Sequence, residues 1–341
     1  MGRIRLIAEW EAQDGILLSW PTEASDWAPL LDKIEAVFVE LVRQISRYEQ
    51  VVIAAPCPKR VEQRLAQSQI DCSAVRLYEV ANNDTWARDF GPITVEVDGQ
   101  PRLYDFGFNG WGLKFAADED NRINRRLQQL GAWDVPCQVQ PLILEGGSIE
   151  CDGRGTLLTT SACLLSDNRN PHLTRGDLEL WFQQHLGIRQ VLWLDHGFLA
   201  GDDTDSHIDT LARICPQDTI LYVQCDDPSD EHYAALKAMA EQLHDFRTQE
   251  GTPFRLLPLP WPASRFDEDQ QRLPATYANF LVINGAVLVP TYDDPADQQA
   301  LKVIAQAYPQ HDIIGVNCLP VIYQHGSLHC LTMQLPKGTL S

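Results

Sequence analysis

The sequence predicts an α/β fold made by repeating one supersecondary unit, and three observations carry that prediction. The order strand, turn, strand, loop, helix, strand occurs three times, beginning at Leu142, His207 and Phe280. The helical segments keep a 3.6-residue apolar period, while the strand segments are short apolar runs bounded by turn residues. No low-complexity linker divides the 341 residues, so one domain over 1–341 is expected. A unit that cannot bury its own apolar face must complete its core against its neighbours, in a ring or a stack.

The chain opens on Glu9, Trp10 and Glu11 and a short strand at 17–22, stopped by Pro21. Residues 27–48 read as a helix, with Leu30, Leu31, Ile34, Val37, Phe38, Leu41, Val42 and Ile45 on one face. A buried strand at 51–55, a helix at 61–69 and strands at 75–80 and 93–97 follow, the last turned by Asp98-Gly99. These are fragments of two further units. The first complete unit has strands at 142–151 and 156–160, a helix near 174–186 and a strand at 191–194. The second has strands at 207–215 and 219–224, a helix at 231–246 and a strand at 255–259. The third has strands at 280–284 and 286–290, a helix at 295–307 and a strand at 312–316. A last strand is expected at 328–334, after Gly326 and Ser327, which permit close backbone approach just before Cys330.

Charge narrows the partners. A formal net charge of -20 repels nucleic acid and anionic membrane and attracts a small cation. No run of about 18 apolar residues is present, so no membrane span is expected. The N-terminus has no long apolar stretch, so no export signal is expected and a cytoplasmic location follows. Nine cysteines occur without a Cys-x-x-Cys pair, which argues against zinc ribbons and dithiol redox motifs. Eight of them read as small core residues. Cys330, with its Gly-Ser lead-in, reads either as a ninth or as a nucleophile.

The stretch from Gly201 to Asp209 holds Asp202, Asp203, Asp205 and Asp209 together with His207. Such a cluster repels itself unless a cation is held, either a metal or an organic cation. On a strand, His207 and Asp209 would share a face. Asp205-Ser206-His207-Ile208-Asp209 also fits the Asp-x-His-x-Asp pattern of dimanganese ureohydrolases. The further acidic segments those sites need are missing, since Asp226-Asp227-Pro228 and Asp293-Asp294-Pro295 lack the spacing. Trp86 stands three residues before Asp89 in a loop, as surface decoration or as part of a site. Glu145 precedes Gly146-Gly147, a β-bulge or an open approach to a ligand.

Four segments together resemble the signatures of agmatine deiminases and the bacterial peptidylarginine-deiminase-like proteins related to them. They are Asp84 to Pro92, Leu144 to Ile149, Gly201 to Asp209, and His329-Cys330. Glu9-Trp10-Glu11 and Ser19-Trp20-Pro21 are similar too. The resemblance implies the guanidine-modifying superfamily fold, a five-bladed α/β propeller (pentein) of ββαβ units with pseudo-fivefold symmetry. It implies Cys330 as nucleophile, His207 as acid/base, and Asp89 and Asp209 as guanidinium clamps. Trp86, Asp84, Glu145 and Asp203 would line the substrate, and neither metal nor cofactor is called for. The implied reaction is agmatine plus water to N-carbamoylputrescine plus ammonia. A protein- or free-arginine deiminase, a metal-dependent ureohydrolase and a non-catalytic polyamine-binding protein are the alternatives, and a homo-oligomer is compatible with all of them. Two departures stand out: His325-Gly326-Ser327-Leu328 replaces a glycine-rich lead-in, and Ser206 replaces a glycine before the histidine. Arg88 is the one cation within these motifs, and its side chain is expected to point away from Asp89.

Overall fold

A computed structural model describes residues 3–340. Its strands form five sheets of three or four strands and one two-stranded ribbon, Arg265–Phe266 with Arg272–Leu273. Each of the five sheets repeats one plan. Two antiparallel strands are followed by a helix that crosses to a third strand, parallel to the second. The three units expected from sequence are present as Ile149–Cys151 to Gln190–Leu194, Ala212–Cys215 to Arg255–Leu259, and Leu281–Ile283 to Asp312–Asn317. A fourth comprises Ile93–Val97, Gln100–Gly107, the helix Ile123–Gln129 and Cys137–Ile143, with Ile4–Leu6 added at its edge.

The fifth joins the two ends of the chain. Thr332–Pro336 lies antiparallel to Gln13–Ser19, which continues through the helix Leu31–Ile45 to Gln50–Ala55 and then Val75–Glu79, both parallel. Ile16–Leu18 and Val51–Ala55, at the centre of these two strands, are apolar and buried because both faces are covered. The helix Leu31–Ile45 buries Ile34, Val37, Phe38, Leu41, Val42 and Ile45, the stripe its sequence spacing dictates. Thr174 and Asp177 form a capping box ahead of Arg175–Leu186, and Gly187 ends that helix in the left-handed region at φ 70°. One continuous cluster of buried apolar residues runs through all five sheets.

The expected strands 142–151, 207–215 and 328–334 are each divided. Tight 3₁₀ turns at Gly146–Ser148, Ile208–Thr210 and His329–Leu331 precede shorter strands at 149–151, 212–215 and 332–336. Residues 87–90 form one helical turn ahead of strand 93–97 rather than a strand approach. The segments carrying the four motifs are therefore structurally equivalent: each leads into the first strand of its unit. Runs that are apolar for burial alone look like strand in sequence, which is why these turns were concealed. Cysteine burial is also corrected, since Cys57 and Cys72 are exposed while Cys137 and Cys151 are half-buried. No helix among the described residues is long and apolar enough to cross a membrane.

Candidate active site

Two of the lead-in segments, at Asp89 and Cys330, reach the wall of one cavity of about 180 Å³ that also includes Asp84, Trp86, Trp111 and Asp203, while His207 and Asp209 are fully buried and do not line that wall. Cys330 is 4% exposed. Its backbone N–H and its thiol both point to Asn279 Oδ1, at 3.3 and 3.4 Å. Asn279 stands two residues before the first strand, Leu281–Ile283, of the unit that carries none of the four motifs. It supplies the fifth equivalent position, and nothing in its local sequence marks it.

Asp89 is held from both sides. Trp111 Nε1 donates to Oδ2 at 2.9 Å and the Gly147 N–H to Oδ1 at 3.1 Å. His207 Nδ1 lies 3.5 Å from Asp89 Oδ1. Asp209 Oδ2 is 2.7 Å from His329 Nδ1. Both ring nitrogens of His207 and Oδ1 of Asp209 are buried without a hydrogen-bond partner. Buried polar groups are ordinarily satisfied, so three orphan atoms in one site are suited to a ligand that brings donors. The period-two argument for His207 and Asp209 does not hold, because a 3₁₀ turn rather than a strand delivers them.

Gly147 separates these groups. A Cβ there would stand 2.6 Å from His207 Nδ1, 2.8 Å from Asp89 Oδ1 and 3.1 Å from Asp209 Oδ2. Gly147→Ala is expected to reduce turnover by at least about 100-fold through displacement of those groups. Thermal unfolding and ammonia release measured on the same sample check it: near-parental activity would show that the cavity tolerates the methyl.

One of the four expected lining residues is placed elsewhere. Glu145 is fully buried but does not line the cavity. Arg169 Nε donates to its two oxygens at 2.9 and 3.0 Å. Arg169 also reaches Asp205 Oδ2 at 2.6 Å and the Thr204 carbonyl at 2.9 Å, so it fastens the acidic loop to the Glu145 segment. Lys114 Nζ adds 2.6 Å contacts to Asp205 Oδ1 and to the Asp203 carbonyl. Much of the acidic loop's repulsion is thus relieved by two basic side chains far away in sequence. Within the Asp-x-His-x-Asp segment, Asp205 is engaged by Arg169 and Lys114 and Asp209 Oδ2 by His329, which leaves Asp209 Oδ1 and the His207 ring nitrogens without partners. The surplus of acids around seven motif carboxylates was the available signal for a missing cation. Arg88 does point away from the cavity, with Nη1 against Gln334 Oε1 at 2.5 Å and Nε donating to the His329 carbonyl at 3.4 Å.

A sequence profile of the Porphyromonas-type peptidyl-arginine deiminases matches residues 5–336. The chain belongs to this family. It is similar to the agmatine deiminase of Pseudomonas fluorescens, 32% identical, with 96% of this chain and 94% of that one covered. Among solved structures it is similar to a C. jejuni agmatine deiminase with substrate bound, 40% identical, covering 99% and 97% at a TM-score of 0.91. It is also similar to a provisionally named arginine deiminase of Porphyromonas gingivalis, 48% identical, covering 99% and 100% at 0.94.

The two departures of this deiminase-family chain from glycine keep a backbone that favours glycine. Ser206 has φ 65° and His325 φ 64°, each costing on the order of 1 kcal/mol. Hydrogen bonds offset part of that: Asp202 Oδ2 accepts from the Ser206 N–H at 2.7 Å, and His325 Nδ1 lies 2.7 Å from the Gly201 carbonyl. Gly326 remains glycine because a Cβ would stand 2.3 Å from the Trp86 ring.

The two central carboxylates are electrostatically unlike. Burial, and then the charges of Asp209 and Glu145, raise Asp89 well above the usual range. Burial also works against ionised Asp209, but the hydrogen bond and charge of His329, with His207 and Arg213, bring it below that range. Burial pulls His207 down to about 3, so the imidazole is neutral near pH 7. Burial raises the Cys330 thiol well above its ordinary value, and Asp209 and Asp89 raise it further. Asp84 is pushed up to about 6 by burial, despite hydrogen bonds from the Thr85 N–H and Trp27 Nε1.

Proposed function

We propose that this chain is a cysteine-dependent deiminase of agmatine, folded as one domain in a five-bladed α/β propeller and working in the cytoplasm. The observation that carries the reading is the set of orphaned buried atoms on His207 and Asp209, beside two carboxylates and a thiol. A guanidinium is planar, cationic and rich in N–H donors. Asp89 and Asp209 would hold it by charge-assisted hydrogen bonds, which fixes its plane and brings its carbon to the sulfur. The arriving cation also reverses the field that keeps Cys330 protonated.

In this scheme His207 takes the thiol proton as the sulfur attacks the guanidine carbon. The imidazolium then gives that proton to the departing nitrogen, and ammonia leaves a thiouronium on Cys330. Water next gives a proton to His207 and its oxygen bonds to the same carbon. The carbon–sulfur bond breaks as the hydroxyl proton passes from the new C–O group to the sulfur, and the neutral ureido product is released. His207 gives up the proton it took from water, which leaves with the ammonia as ammonium. Neither a metal nor a cofactor is needed for any step.

Substrate choice follows from the wall. The cavity lining includes Asp26, Asp84, Asp89 and Asp203 and contains neither lysine nor arginine. Such a wall suits agmatine's ammonium and offers no cationic partner for the α-carboxylate of arginine. Agmatine is expected to exceed free arginine by at least about tenfold in kcat/KM, roughly 1.4 kcal/mol. A second reading, arginine or peptidyl-arginine as substrate, draws on the likeness to the Porphyromonas gingivalis chain, named for arginine, and on the family description, which names peptidyl-arginine. One panel decides between them: ammonia release from agmatine, arginine and an arginyl peptide, each with and without EDTA. Efficient turnover of arginine or the peptide with agmatine poor would establish the second reading. Urea release or loss of activity in EDTA would sink both.

A further inference from the structure

Behind Asp209 lies a buried chain of charged groups that the reaction scheme does not use. His329 Nδ1 is 2.7 Å from Asp209 Oδ2, and its Nε2 is 2.7 Å from Glu9 Oε2. Glu9 Oε2 also meets Arg213 Nη2 at 2.9 Å and Arg88 Nη2 at 3.8 Å, while Oε1 accepts the Val282 N–H at 2.8 Å. Arg213 is itself anchored by Glu150 at 2.5 Å and stacks over the Phe280 ring at 4.4 Å. All these side chains are buried.

We infer that Glu9 is a positioning residue which, through His329, keeps Asp209 oriented and ionised for the guanidinium. This rests on the reading of Asp209 as a clamp. The geometry supplies the reason. An imidazole with a carboxylate oxygen at 2.7 Å from each nitrogen needs a proton on both nitrogens for both contacts to be attractive. Opposing that, burial and the guanidiniums of Arg213 (Nη2 3.1 Å from His329 Nε2) and Arg88 favour the neutral ring. Glu9 and Asp209 are the two carboxylates on the other side of the balance, with Glu150 one step further, behind Arg213. Removing the charge of Glu9 leaves Asp209 alone against two arginines, so the ring loses a proton and Asp209 loses its cationic neighbour. Around Gly147 Asp209 also neighbours Asp89, whose charge opposes its own, and neutral His207, which supports it less than an imidazolium would.

The test replaces Glu9 with Gln, which preserves shape, and with Asp, which preserves charge. In Glu9→Gln, kcat/KM for agmatine at pH 7 is expected to fall about tenfold, mainly in KM. The acid limb of its pH profile should rise by about half a unit or more, because Asp209 becomes harder to ionise. Glu9→Asp should return the limb towards its parental position. Loss of activity with an unmoved limb would reduce Glu9 to a structural role and overturn the inference. A second measurement needs no variant enzyme to turn over. In the unmodified protein labelled with ¹⁵N-histidine, His329 should show both ring nitrogens protonated near pH 7, assigned by difference against His329→Gln. A neutral His329 would overturn the inference whatever the substrate proves to be. Failure of the unmodified protein to turn over agmatine would instead count against the deiminase reading alone.

Discussion

Cys330→Ala is expected to lose ammonia release from agmatine by about 10⁴-fold or more, the scale on which enzymes lose turnover without their nucleophile. The fold should survive. The backbone N–H of residue 330 still donates to Asn279 Oδ1, and only one sulfur is removed from a wall that already faces a cavity. Thermal unfolding should shift by no more than a few degrees, since the deletion costs about 1 kcal/mol. The pair of measurements separates chemistry from stability. A variant that keeps near-normal turnover would show that another group attacks the carbon. A variant that unfolds would show that the thiol's contact to Asn279 carries more of the local structure than its 3.4 Å length suggests.

Asp209→Asn should cost roughly 2–5 kcal/mol of transition-state binding, about 30- to 5,000-fold in kcat/KM. The substitution leaves a buried cation half-paired and His329 without one of its two carboxylates. Asp89→Asn should cost less, because the two carboxylates begin from different states. Asp89 is raised well above the usual range by burial and by Asp209, so holding a cation as a carboxylate costs it more. Asp209 is charged beforehand. A group that already carries its charge before binding contributes more than one whose charge its surroundings oppose. Steady-state kinetics on the two variants with agmatine test the order. Equal losses would mean that the electrostatic difference between the two carboxylates does not persist when substrate binds.

Several features of the site were legible because they depend on residue type at short range. Cys330 after a Gly-Ser lead-in, the acidic stretch around His207, Trp86 near Asp89 and the Gly-Gly after Glu145 all signal unusual local chemistry. Other features depend on groups brought together across stretches of chain longer than any motif. Trp111 reaches Asp89 across 22 residues, Arg169 reaches Glu145 across 24, and Asn279 reaches Cys330 across 51. None of these three stands in a motif, so no local pattern singles them out. Glu145 shows the consequence: its acid was visible in sequence, but whether it faces the cavity or a buried arginine was not.

By itself the sequence determined the repeating α/β plan, since apolar periods and turn residues act over a few positions and three complete units carry them clearly. It also determined the chemical character of the site, because thiol, imidazole and carboxylates are properties of side chains. Tertiary structure alone decided how the chain ends meet, with Thr332–Pro336 completing the sheet begun by Gln13–Ser19. It also decided which acids remain free for a ligand. Ionisation and pairing depend on burial and on the few ångströms between charges. Those distances come from the juxtaposition of five equivalent lead-in segments, which sequence spacing does not encode.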